Sequence, residues 1–161
     1  MYEHSSAVRW RGESPDAAAP AAPLRDAVVV DAAVADTHAL IFHAGGSAVL
    51  GPKARAHFAA SEAQRALTYI PVIVMWECAL LSRAVRINLR RPLRQFFADL
   101  FSNPAYQPLD LTAAQVLLAD ELRFTKDPFD ALIVAAARDL GIPLITRDQT
   151  IRDAGVVKTI W

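Results

Sequence analysis

The sequence predicts an α/β domain of three layers, α/β/α, with helices on both faces of a mainly parallel sheet. Short apolar runs of strand length alternate with longer stretches of helical pattern, which is the order such a sheet requires. The clearest single segment is D-P-F-D-A-L-I-V-A-A-A-R-D-L-G-I-P-L-I-T at 127–146. There a capping Asp127, Pro128 at the first helical position, Gly141 at a left-handed stop and a β-rich run follow in order.

In chain order, residues 1–25 come first and show neither period. They hold Pro15, Pro20, Pro23 and an alanine tract, and read as a flexible Ala/Pro-rich tail or as translation from an upstream start codon. The domain is expected over 26–161. Residues 27–35 (A-V-V-V-D-A-A-V-A), 66–70 (A-L-T-Y-I) and 142–146 (I-P-L-I-T) read as buried strands, with an edge strand over 156–160. Helices are expected at 52–64, 72–86, 92–101, 112–122 and 128–140. No internal repeat is present.

Composition narrows the function classes. The 161 residues are 53% hydrophobic and 21% charged, a profile of one globular domain rather than a disordered chain. Lys plus Arg number 17 and Asp plus Glu 17, so no strongly basic nucleic-acid binder is announced by net charge. The longest apolar stretch, 67–76, is about half a membrane span and contains Pro71. Cys78 is the one cysteine, so no internal disulfide is possible. No secretory signal pattern opens the chain, and the cytoplasm is the expected location.

Four acids fall on one edge of the expected sheet. In right-handed βαβ units, strand C-termini and helix N-termini share the edge where ligands bind. Asp36 follows the first strand, Glu77 lies early in the helix after the second, Asp130 in the first turn of the helix from Pro128, and Asp148 just after the strand ending at Thr146. Each alone has a structural reading, since helix N-termini and loops favour acids. Together they would repel one another unless cations neutralised them. Hard oxygen donors suit Mg²⁺ or Mn²⁺, and such clusters serve phosphodiester hydrolysis. Asp127 reads as the helix cap, or alternatively as an outer group around the ion. Asp31 rivals Asp36 but sits inside an apolar run.

These residues resemble the PIN-domain ribonucleases, and among them the VapC-type toxins of type II toxin–antitoxin systems. The matching segments are A-D-T-H-A-L-I-F (35–42), W-E-C-A-L-L (76–81), D-P-F-D-A-L-I-V-A-A-A (127–137) and L-I-T-R-D (144–148), with the closing V-V-K-T-I-W. The likeness covers about residues 30–161. It implies that Asp36, Glu77, Asp130 and Asp148 are the catalytic, Mg²⁺- or Mn²⁺-binding set, Asp36 and Asp130 foremost, with Thr37 and Thr146 in support. It further implies endonucleolytic RNA cleavage, a metal-activated water attacking phosphorus and leaving a 5′-phosphate downstream. The partners it implies are a homodimer mate and a cognate antitoxin whose basic or apolar segment covers the acidic pocket.

The chain departs from the family where Pro71 and Val74 replace serines before the Trp-Glu pair, and where Ala131 replaces a basic residue. Arg147 and Lys126 are candidate RNA contacts. Arg83, Arg86, Arg90, Arg91 and Arg94 could meet phosphates or form a solvated face. Trp76, Phe96, Phe97 and Phe101 could stack bases, although Phe97 and Phe101 fit a core or interface better. His38 and His43 cannot share a helix face. A metal-independent mechanism would use His38 or His57 as general base, whereas Cys78 reads as a small core residue.

Two rivals to a nuclease follow. One is a catalytically silent PIN-like module that binds a partner protein through the pocket. The other is a receiver-like domain, raised by V-V-V-D at 28–31 and by Lys158.

Overall fold

The computed structural model describes residues 31–161. The expected tail, 1–25, and the first four residues of the expected strand over 27–35 lie outside the described residues. Elements run in the order β1 (Asp31–Ala35), α1 (Thr37–Ala44), α2 (Pro52–Glu62), β2 (Ala66–Pro71), α3 (Val72–Arg83), α4 (Leu93–Phe101), β3 (Tyr106–Leu109), α5 (Ala113–Glu121), α6 (Pro128–Leu140), β4 (Leu144–Ile145), α7 (Gln149–Ala154) and β5 (Thr159–Ile160). The five strands form one sheet in the order β3-β2-β1-β4-β5, and every pairing is parallel. Helices cover both faces, giving the expected three layers.

β1 is central, and Ala33, Val34 and Ala35 are fully buried. Its register pairs Asp31 with Ala66 of β2 and Ala35 with Ile145 of β4. The most enclosed helix is α6, where Ile133 to Ala137 are consecutively buried. Its run A-L-I-V-A-A-A is apolar on all sides, as a helix packed against β1, α3 and α5 together must be.

The helix from Pro128 to Leu140 has the expected bounds, with Gly141 at φ +65° closing it. Thr112 caps α5 in a capping box with Gln115. The expected helix from Val72 runs only to Arg83, because Val85 takes φ +55° and turns the chain. The strands near 142–146 and 156–160 shrink to two residues each.

Three elements had no counterpart in the sequence expectations. β3 reads Y-Q-P-L, with Gln107 and Pro108 exposed; its place at the sheet edge explains how a proline is tolerated. α7 is six residues long and buries only Ile151. α1 begins directly after Asp36.

Candidate active site

β1 and β4 are neighbours, so the turns that leave them are neighbours too. Asp36 continues the ladder by donating its backbone N–H to the Ile145 carbonyl at 3.0 Å, and it then caps α1. Its Oδ1 accepts the Thr37 N–H at 2.6 Å, and its Oδ2 accepts the Thr146 hydroxyl at 2.7 Å. The Thr146 oxygen in turn accepts the Asp148 N–H at 3.0 Å. The Thr37 hydroxyl donates to Glu77 Oε2 from α3. Two buried threonines therefore tie Asp36 to Glu77 on one side and to Asp148 on the other. Asp148 also caps α7, its Oδ1 accepting the Ile151 N–H at 3.0 Å.

Asp130 stands in the first turn of α6, half-buried, with a long contact of 3.4 Å from the Thr125 hydroxyl to its Oδ2. Burial, reinforced by the negative charges of Asp127, Asp36, Asp148 and Glu77, pushes its carboxyl up to about 7. Asp36, only 6% exposed, is also raised: burial outweighs the Thr146 hydrogen bond, the His38 imidazole and the Thr37 N–H, and Glu77 adds to the rise. The four acids thus share one electrostatic environment. Asp127 is the helix cap, accepting the Phe129 N–H at 2.8 Å.

The donors are carboxylates backed by hydroxyls, a hard-oxygen set that fits Mg²⁺ or Mn²⁺. Among the described residues, no three Asp, Glu, His or Cys side chains stand close enough together to ligate one ion directly. Mg²⁺ characteristically retains several waters and takes one or two carboxylates. The arrangement fits an ion held partly through its own waters.

Several other candidates fall elsewhere. His57 is buried at the opposite edge, with Nε2 3.2 Å from the Leu67 carbonyl and Nδ1 without a hydrogen-bond partner. Asp31 opens β1 at that same edge with an exposed side chain, so it does not replace Asp36. His43 turns to Glu62 and to the Tyr106 hydroxyl, each at 3.0 Å. His38 alone of these stays beside Asp36. Cys78 is fully buried, its thiol pushed up to about 12 by burial and by the neighbouring Glu77 and Asp36 charges, so it is a core residue and no nucleophile. Phe96 and Phe97 are core as well, and Trp76, 48% exposed, carries the Arg83 guanidinium 5.2 Å above its ring. Within the basic stretch, Arg91 pairs with Asp99. Sequence reasoning missed Thr125; the only signal was a hydroxyl two residues before the capping Asp127.

No curated protein sequence matches the chain significantly. Solved structures do: VapBC2 from Rickettsia felis bound to a promoter DNA fragment shares its fold with a TM-score of 0.59 at 13% identity, covering 80% of this chain and 97% of that one. A toxin–antitoxin complex from Klebsiella pneumoniae gives 0.55 at 21%, covering 80% and 96%. DNA-bound VapBC from Salmonella typhimurium gives 0.56 at 16%, covering 82% and 98%. At these identities the likeness is one of fold. The model of the PIN domain matches residues 33–157, a span that holds all four acids and both threonines, and the chain belongs to the PIN domain family.

Proposed function

We propose that this protein is a metal-dependent endoribonuclease and the toxin of a toxin–antitoxin pair. What supports the reading is that Asp130 feels burial and the charges of Asp127, Asp36, Asp148 and Glu77 together, which push its carboxyl up to about 7. A site holding that much uncompensated negative charge is one that a divalent cation would relieve. Asp36, Asp130 and Asp148 would hold Mg²⁺ or Mn²⁺, with Glu77 completing the set. When bound, the ion supplies Lewis-acid stabilisation of a phosphoryl oxygen and acidifies water.

The chain's own groups orient that site. Thr37 and Thr146 hold Asp36 and Glu77 in place through the hydrogen bonds described. Hydrolysis adds the oxygen of water to phosphorus and breaks the bond to the 3′ oxygen, leaving a 5′-phosphate on the downstream product. The toxin role is supported by the toxin–antitoxin complexes that share the fold. It brings with it a cognate antitoxin over the acidic pocket, a homodimer through apolar helix surface and a cytoplasmic setting. Among the described residues, no helix is long and apolar enough to cross a membrane.

The test is cleavage of a mixed RNA pool with Mn²⁺, with EDTA, and by Asp36→Asn and Asp130→Asn variants. Cutting that needs metal and disappears in both variants is expected. Cutting that survives EDTA and both substitutions would overturn the metal mechanism and turn attention to His38. The silent-module reading draws on the lack, among the described residues, of three such side chains grouped closely enough to hold an ion directly; it requires no cutting from protein shown to be free of any co-purified partner.

A further inference from the structure

An acidic pocket repels a polyanion, so a nuclease site of this kind needs fixed cations at its rim. The turn between β4 and α7 places one there. Arg147 lies between Thr146 and Asp148, both pinned by the hydrogen bonds that organise the acids. Its guanidinium does not pair with any carboxylate among the described residues. Instead its central carbon sits 5.3 Å above the ring of Phe42 on α1. Phe42 is itself wedged between His38, at 6.2 Å between ring centroids, and the edge-on indole of Trp161, at 6.4 Å.

A guanidinium over an aromatic face keeps its planar fork oriented while its N–H edges stay open to water. Arg147 is exposed, so those donors are accessible. The alternative for an exposed arginine beside an aspartate is to fold back onto the carboxylate and cancel it, and the Phe42 ring holds it away from that pairing. We infer that Arg147, positioned by Phe42, grips a backbone phosphate of the RNA substrate next to the one that is cut. This rests on the nuclease reading above and adds to it a substrate contact on the α1 side of the acids. Lys126, exposed in the segment before α6, lies outside that aromatic brace. Arg147 touches substrate, whereas Phe42 is a positioning residue.

The test is fluorescence anisotropy of a short fluorescein-labelled single-stranded RNA over a KCl series. All variants are built on Asp130→Asn, so that binding is read without cutting. Arg147→Ala should weaken binding about tenfold, as loss of one charged hydrogen-bonded contact does. It should also lower the magnitude of the salt slope by about 0.7, the share of one phosphate on a single strand. Arg147→Lys should keep the slope and recover only part of the affinity. Phe42→Leu should weaken binding in the same direction at unchanged melting temperature, and Phe42→Tyr should restore it, which a merely structural role for the ring would not produce.

Unchanged affinity and slope in Arg147→Ala, while the unsubstituted protein still cuts RNA with metal, overturns this inference and leaves the nuclease reading standing. The same holds if Arg147→Ala spares RNA binding but abolishes binding of a purified partner protein. Failure of the unsubstituted protein to bind or cut RNA overturns both.

Discussion

Replacing Asp130 by asparagine should stabilise the protein in alkaline solution and leave it unchanged in acid. Burial, with the charges of Asp127, Asp36, Asp148 and Glu77, pushes the carboxyl up to about 7 in the folded chain, against about 4 when unfolded. Below the unfolded value both states carry the proton and nothing is lost. As pH rises from about 4 toward 7 the folded state keeps a proton that the unfolded state releases, so stability falls with pH, and above about 7 the full cost of the buried charge is present. Undiminished, a displacement of that size corresponds to about 4 kcal/mol. The carboxyl is only half-buried, and solvent screening brings the expected cost to about 1–2 kcal/mol. Asparagine cannot ionise and escapes it. Thermal melts should therefore show Asp130→Asn above the unsubstituted protein by about 3–8 °C at pH 8, converging near pH 4. Added Mg²⁺ should reverse the order at pH 8, because a ligand that binds only the folded acid site stabilises it by mass action. A variant no more stable at pH 8, or one whose advantage is equal at pH 4, would refute the electrostatic account.

Three further substitutions probe the frame around the site. A Cβ on Gly51 would lie 2.5 Å from the Trp161 carbonyl carbon and 2.6 Å from its indole, so Gly51→Ala should lower urea stability by about 1–3 kcal/mol through overpacking; a neutral result would mean that Trp161 moves freely. Val85 is 89% exposed and carries φ +55°, a costly conformation for a β-branched residue, so Val85→Gly should raise stability by about 1 kcal/mol in the same assay. Thr146→Val removes the donor to Asp36 and the acceptor for the Asp148 N–H. It should cost about 1–3 kcal/mol and raise the concentration of Mn²⁺ needed for cutting; intact stability and metal response would show that the hydroxyl link does not organise the acids.

Legibility in the sequence followed burial. The helix Pro128–Leu140 could be bounded because its cap, its first-position proline and its closing glycine are all local signals. β1 and β2 could be found because central parallel strands are buried on both faces and leave apolar runs. β3 could not: at the edge of the sheet, only Tyr106 is buried, and Q-P-L carries neither period. α7 failed for the same reason, with one buried side chain in six residues. Topology is what groups the four acids in the sequence, since residues just past a strand or just inside a helix reach the same sheet edge. His57 looked equivalent to His38 as a type but belongs to the other edge, a distinction that depends on where α2 ends relative to β2.

What topology could not supply is the difference in setting among the acids. Asp36 has both oxygens engaged by fixed donors, one a backbone N–H and one a hydroxyl, yet each carboxylate oxygen has two acceptor directions, so one on each remains free. Asp130 has a single long contact from Thr125. The site therefore combines a rigid, deeply set carboxylate with a half-exposed one whose charge is least compensated. On the proposed metal-dependent reading, a cation would gain most from Asp130 and be located by Asp36. That asymmetry follows from position in the fold: Asp36 extends the central strand into a helix cap, whereas Asp130 hangs from the first turn of a helix whose cap is already taken by Asp127. A helix needs only one such cap, so the second acid in D-P-F-D keeps only the long Thr125 contact, which suits it to the proposed ion.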